Sequence, residues 1–172
     1  MKTIFHGDKQ EIEAGNLLNE GRMWHNSGNF EEGPGVYFAE DREDAKVYGP
    51  NIYKTKINMS LFYESRVETS KYRDDMIKVL SFLKERDNNL FGAFMDFGFE
   101  VQSNEDLSKS DIIYIYNENK HMELRNFQMF LIEYVGIESF IEAFNITGKI
   151  GNFNKNRGVF NIFNTEVEIE KD

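Results

Sequence analysis

The hydrophobic period of the chain changes twice, and that change constrains the fold more than any single residue does. Across 52–62, Tyr53, Thr55, Ile57 and Met59 alternate with Lys54, Lys56 and Asn58, the period of two expected of a half-exposed strand. Across 72–86 the apolar positions Met76, Val79, Leu80 and Leu83 follow i, i+3, i+4, i+7, the stripe of an amphipathic helix. Leu124, Phe127, Leu131 and Tyr134 mark a second helix over about 122–135, ended by Gly136. Strands are then expected again at 137–144 and 158–164, joined by the Gly- and Asn-rich stretch 145–157. Strands, a helical insert and strands again predict an α+β fold. The expected organisation is a single domain over 1–172 with the insert at about 70–135.

Shorter features fill in the first third. A strand over 2–6 is ended by Gly7-Asp8, and a helix over 14–22 would carry Leu17 and Leu18. A long polar loop over 19–35, anchored by Trp24 and Phe30, has the length of a functional loop. Gly33-Pro34-Gly35 then turns the chain into a strand over 36–39. Asp41, with Asp44 three residues on, can cap the short helix that follows, and Tyr48-Gly49-Pro50 stops it. Residues 89–99 are aromatic-rich with no clear period, and 112–116 fits either a strand or a short buried turn.

Composition excludes several classes. The net charge of −10, from 20 basic and 30 acidic residues, opposes binding to nucleic acid, which needs a basic face. No stretch approaches the roughly 20 apolar residues of a membrane span. The start of the chain turns polar after Phe5 and lacks a signal-peptide hydrophobic region, so the cytoplasm is the expected location. The heavy use of Asn, Lys, Phe and Ile suggests an AT-rich bacterial or phage gene, and for a phage protein that location is the host cytoplasm. Cysteine is absent, which removes disulfides and a thiolate nucleophile. His6, His25 and His121 are too far apart in sequence to suggest a metal site, and no Gly-x-Ser-x-Gly hydrolase motif occurs.

Three pieces carry the chemistry: a strand ending in His6-Gly7, a Gly-x-Tyr-Phe-Ala strand, and a tyrosine closing the next helix. In the segments 6-HGDKQEIEAGNLLNEGR-22 and 35-GVYFAEDREDAKVY-48, the spacing of Gly15 and Arg22 from His6, and of Tyr48 from Tyr37, resembles the ADP-ribosyltransferases of the diphtheria-toxin and poly-ADP-ribose-polymerase type. The resemblance covers the first third of the chain well and the last quarter loosely, and it implies a split β core that binds NAD+ as substrate. A cationic nicotinamide ring is well held between two aromatic faces, and Tyr37 and Tyr48 would be those faces. Gly7 would let its backbone reach the carboxamide, His6 would hydrogen-bond a ribose hydroxyl, and Arg22 would contact the adenosine half. Phe38 and Ala39 complete the expected binding strand. The implied activity is transfer of a single ADP-ribose to a macromolecule, expected to be a protein, as for a phage or bacterial effector acting on host or defence factors.

The family also places a glutamate at the start of its last core strand, where a carboxylate stabilises an oxocarbenium-like state. The corresponding stretch is 159-VFNIFN-164, so the glutamate position falls on Val159, and 144–164 holds no acid. Three readings stay open. The acid is elsewhere, with Glu142 the nearest candidate and Glu138 and Glu133 behind it. Glu133-Tyr134-Val135 matches the family tripeptide but sits in a helical pattern. Alternatively the enzyme works without an acid, as some mono-ADP-ribosyltransferases do. Or the protein is an NAD or ADP-ribose-binding or protein-interaction module that catalyses nothing.

Overall fold

The computed structural model describes residues 1–25, 31–86 and 109–172. Within these residues the fold is α+β, and the chain divides into two compact units, Met1–Arg66 with Gly148–Asp172, and Val67–Thr147.

The first unit holds a mixed seven-stranded sheet. Its strands are β1 (Lys2–Asp8), β2 (Val36–Ala39), β3 (Asn51–Ile57), β4 (Phe62–Glu64), β5 (Gly151–Asn154), β6 (Val159–Ile162) and β7 (Glu170–Lys171), in the order β4-β5-β6-β2-β1-β3-β7. All neighbours are antiparallel except β4 and β5. Period two sets the core: Val36, Phe38, Phe160 and Ile162 are all buried, and they pair across β2 and β6 as Val36↔Ile162 and Phe38↔Phe160. Phe153 stacks on Phe160 with ring centroids 4.3 Å apart, and Phe62 meets Phe160 edge-on at 5.3 Å.

The pairing of β1 is lopsided. It runs in full register with β3, from Lys2↔Ile57 to Asp8↔Asn51, yet it meets β2 at one pair, Phe5↔Ala39. Beyond that pair the two strands part. The His6 ring bridges the gap, with Nδ1 2.6 Å from the Tyr37 carbonyl oxygen. A side chain thus takes a main-chain acceptor that a continuous ladder would have used.

Two short helices flank this split. Helix α1 (Glu20–His25) starts at Asn19, whose side chain accepts from the Arg22 amide at 2.9 Å. Helix α2 (Arg42–Lys46) starts at Asp41, whose carboxylate accepts from the Glu43 amide at 2.7 Å, so Asp41 caps as its position suggests. The expected helix over 14–22 is instead a single 3₁₀ turn, Ala14–Asn16, followed by α1. The strand expected over 52–62 ends at Ile57, where the Asn58 side chain accepts from Ser60 and opens the 3₁₀ turn Met59–Leu61.

The described residues of the second unit are mainly helical, in α3 (Arg73–Arg86), α4 (Lys109–Asn119) and α5 (Leu124–Asn145). α3 buries Met76, Val79, Leu80 and Leu83, the stripe read from its spacing, and packs on α4 and α5. Two expectations are corrected here. Residues 137–144 are helix rather than strand, because Ile137, Phe140, Ile141 and Phe144 also fit i, i+3, i+4, i+7, and the last three are buried. Gly136, with the non-helical φ of 79° and ψ of 164°, ends the first helical segment of α5 where its position suggests, and the segment from Ile137 is a second helix after that break. Residues 112–116 are helical too, burying Ile112, Ile115 and Tyr116 on one face. The aromatic stretch 89–99 and the anchor Phe30 lie outside the described residues.

Candidate functional site

Where β1 and β2 part, the first unit carries a cleft of about 950 Å³, near the top of the ~300–1,000 Å³ range of small-molecule sites. His6, Gly7, Arg22, Tyr37, Phe38, Ala39 and Tyr48 all line it. The seven residues come from two strands, α1 and the end of α2, so the fold assembles what the sequence spreads over 43 positions. Glu142 belongs to the other unit, on α5, where it forms an ion pair with Arg86. Glu138 and Glu133 share that helix.

β1 runs two residues further than expected, to Asp8. That extension places Asp8 on the same face as His6, because side chains two apart on a strand share a face. The Asp8 carboxylate accepts from Arg22 Nη2 and lies 3.3 Å from His6 Nε2. Arg22 is held again by donating from Nε to the Leu17 carbonyl at 3.2 Å. Burial pushes His6, 7% exposed, below its ordinary value of 6.5, against the opposing pull of the Tyr37 carbonyl and Asp8. A carbonyl can only accept, so the proton of the neutral ring sits on Nδ1. That leaves the Nε2 lone pair beside Asp8, able to accept from a hydroxyl. Burial raises the Asp8 carboxyl, but the Gln10 amide and Arg22, joined by His6 once its ring takes up a second proton, outweigh it and hold the group below 3.8.

The two tyrosines are positioned differently. Tyr37 donates its hydroxyl to the Gly33 carbonyl at 2.7 Å and accepts from the Glu32 amide at 3.2 Å. Gly33 and Gly35 make the turn that brings those groups back over β2, with φ of 97° and 130°. Such values favour glycine, and a Cβ on Gly35 would also lie 2.6 Å from the Ile162 carbonyl oxygen. Tyr48, in contrast, is 66% exposed at the rim, next to the exposed Val47. Its place depends on Gly7 and Gly49. A Cβ on Gly7 would overlap the Ala45 carbonyl of α2, and one on Gly49 would overlap the backbone of Asp8. Gly7 is therefore required by the close packing of α2 on β1, whatever ligand approaches it.

Sequence reasoning missed a second set of lining residues: Asp8, Glu31, Glu32 and Arg157. Glu32 is 1% exposed. Its carboxylate accepts from Ser65 Oγ at 2.7 Å, Arg66 Nη2 at 2.8 Å and Asn154 Nδ2 at 2.9 Å. Asn152 and Asn161 donate to the carbonyls of Glu32 and Pro34. This polar layer pins the 31–35 loop to the face of β5 and β6 beside Tyr37. Burial raises the Glu32 carboxyl, and Arg66, Ser65 and Asn154 more than offset it and keep it below 4.5. Val159 also lines the cleft, as the first residue of β6 and the register partner of Ala39. The signal for Asp8 was present, since period two carries it onto the face of His6. Glu32 had none, because its partners lie 33 to 122 positions away.

No protein-family model matches the chain, and no curated protein matches it. Among solved structures, the crystal structure of an anti-CRISPR protein is similar over 99% of this chain and 94% of that one, with 16% identity and a TM-score of 0.40. A likeness at that level carries no argument about activity. Among the described residues no helix is long and apolar enough to cross a membrane, and no three His, Asp or Glu side chains gather to hold a metal ion.

Proposed function

We propose that the cleft binds NAD+ and that the protein is a mono-ADP-ribosyltransferase with an ADP-ribosyltransferase-like split core. The observation that carries this reading is the convergence of all seven residues expected to bind NAD+ on one cleft, at the place where β1 and β2 part. In this reading Tyr37 and Tyr48 stack on the nicotinamide ring, the His6 Nε2 accepts from a ribose hydroxyl, and Arg22, held by Asp8, faces the adenosine half. A protein suits the strongly acidic chain better as acceptor than a nucleic acid does. Incubation with NAD+ labelled in the adenylate, together with cell lysate, reads the transfer, and nicotinamide release reads the cleavage. Wild-type protein should label a lysate protein and release nicotinamide, and Tyr37→Ala should abolish both. Equal activity in wild type and Tyr37→Ala would sink the proposal.

A second reading is a binding module of the same fold, which the apolar Val159 at the head of β6 favours. It predicts that NAD+ or ADP-ribose raises Tm while neither nicotinamide release nor labelling occurs.

A further inference from the structure

Among the described residues four carboxylates line the cleft: Asp8, Glu31, Glu32 and Asp44. Asp8 is engaged by Arg22 and the Gln10 amide, and Glu32 lies buried among Ser65, Arg66 and Asn154. Glu31 differs from both. Its side chain is 51% exposed, and it accepts from Arg157 Nη1 at 2.5 Å. Two landmarks fix its place. Arg157 stands two residues before Val159, at the head of β6. On the other side, Glu31 is joined by one peptide bond to Glu32, whose amide donates to the Tyr37 hydroxyl. Asp44, on α2, has neither tie. Glu31 therefore lines the cleft itself, tied through Glu32 to Tyr37 on one side and through Arg157 to the residues that lead into β6 on the other.

We propose that Glu31 is the carboxylate that faces the nicotinamide ribose, carried by the loop before β2 instead of by the first residue of β6. This rests on the NAD+ reading of the cleft given above. The glycosidic bond between ribose C1′ and the ring nitrogen breaks, and its electron pair goes to that nitrogen, releasing neutral nicotinamide. Positive charge develops on C1′ and the ring oxygen, and the Glu31 carboxylate stabilises it. An acceptor lone pair then forms the new bond to C1′, and the acceptor's proton leaves by way of Glu31 to solvent. With water as acceptor, NAD+ and water give ADP-ribose, nicotinamide and one proton. Arg157 holds Glu31 in the ligand-free cleft, and an ion pair this exposed exchanges partners readily.

The test compares wild type, Glu31→Gln, Glu31→Asp and Glu142→Gln for nicotinamide release from NAD+, with water alone and with lysate protein present. NAD+ binding by calorimetry is measured in parallel. Glu31→Gln should slow release about 10²–10³-fold, the size seen when one group that stabilises transition-state charge is lost. Its Kd should stay within about threefold, a split that a merely structural role would not produce. Glu31→Asp should keep an intermediate rate. Release within about threefold of wild type in Glu31→Gln overturns the assignment and leaves the transferase reading standing. A loss confined to Glu142→Gln moves the acid to α5 and overturns it as well. NAD+ bound but never cleaved overturns it in favour of a binding module. A wild type that neither binds nor cleaves NAD+ overturns both this inference and the reading beneath it.

Discussion

His6 joins packing to recognition in a single ring, wedged between the parting strands by the Tyr37 carbonyl and set 5.5 Å from the Phe38 ring. That burial has a measurable consequence. The unfolded chain takes up the His6 proton near 6.5, while the folded chain does so only at lower pH. The unfolded state therefore binds more protons below pH 6.5, and stability falls with pH in that window until the folded ring protonates as well. Urea unfolding as a function of pH should show this limb, and His6→Gln should flatten it. Asp8 and Glu32 titrate below their ordinary values in the fold. Their stability is present at neutral pH and disappears in a second, more acidic window below about 4.5. Tyr48 makes the opposite case. At 66% exposed, it contributes little to the fold, so Tyr48→Ala should leave Tm nearly unchanged. It should weaken NAD+ binding by about 0.5–2 kcal/mol, roughly two- to thirtyfold in Kd, read by calorimetry.

At the scale of elements, the contact between α2 and β1 determines where Tyr48 stands. Gly7 and Gly49 let backbone meet backbone there, and Gly7→Ala should force the two apart. The expected loss is about 1–3 kcal/mol or more, read in urea unfolding, with weaker NAD+ binding as Tyr48 moves. The same scale explains what was legible beforehand. β2 is Val36–Ala39, its expected span, because a glycine turn and a cap bracket it and both act locally. α3 was equally readable, since its stripe is buried as spaced. The second segment of α5 was not. Ile137, Phe140, Ile141 and Phe144 satisfy a helical period, but the break at Gly136 is real, and no local signal says that a second helix and not a strand follows it. β5 was hidden for a different reason. Asn152 and Asn154 look like loop residues in sequence, and they are buried because Glu32 and its loop supply their partners from 120 and 122 positions away.

For the whole molecule, the cleft is a product of strand order. β2 lies between β1, its predecessor in the chain, and β6, which starts 120 residues after Ala39. β4 and β5 pair in parallel although 67–147 intervenes between them in sequence. No local signal reports such pairings, so the sequence could name His6, Tyr37 and Tyr48 but not the loop that brings Glu31 and Glu32 beside them. The acidic balance of the chain is likewise a property of the whole, and it bears on the class of acceptor more than on the cleft. Whether the split between β1 and β2 is a nicotinamide site can be read from a crystal structure of the protein soaked with NAD+. The nicotinamide ring should lie between Tyr37 and Tyr48, with a ribose hydroxyl on His6 Nε2 and the Glu31 carboxylate against the nicotinamide ribose. NAD+ bound elsewhere on the molecule, or a cleft that stays empty at millimolar NAD+, would contradict it.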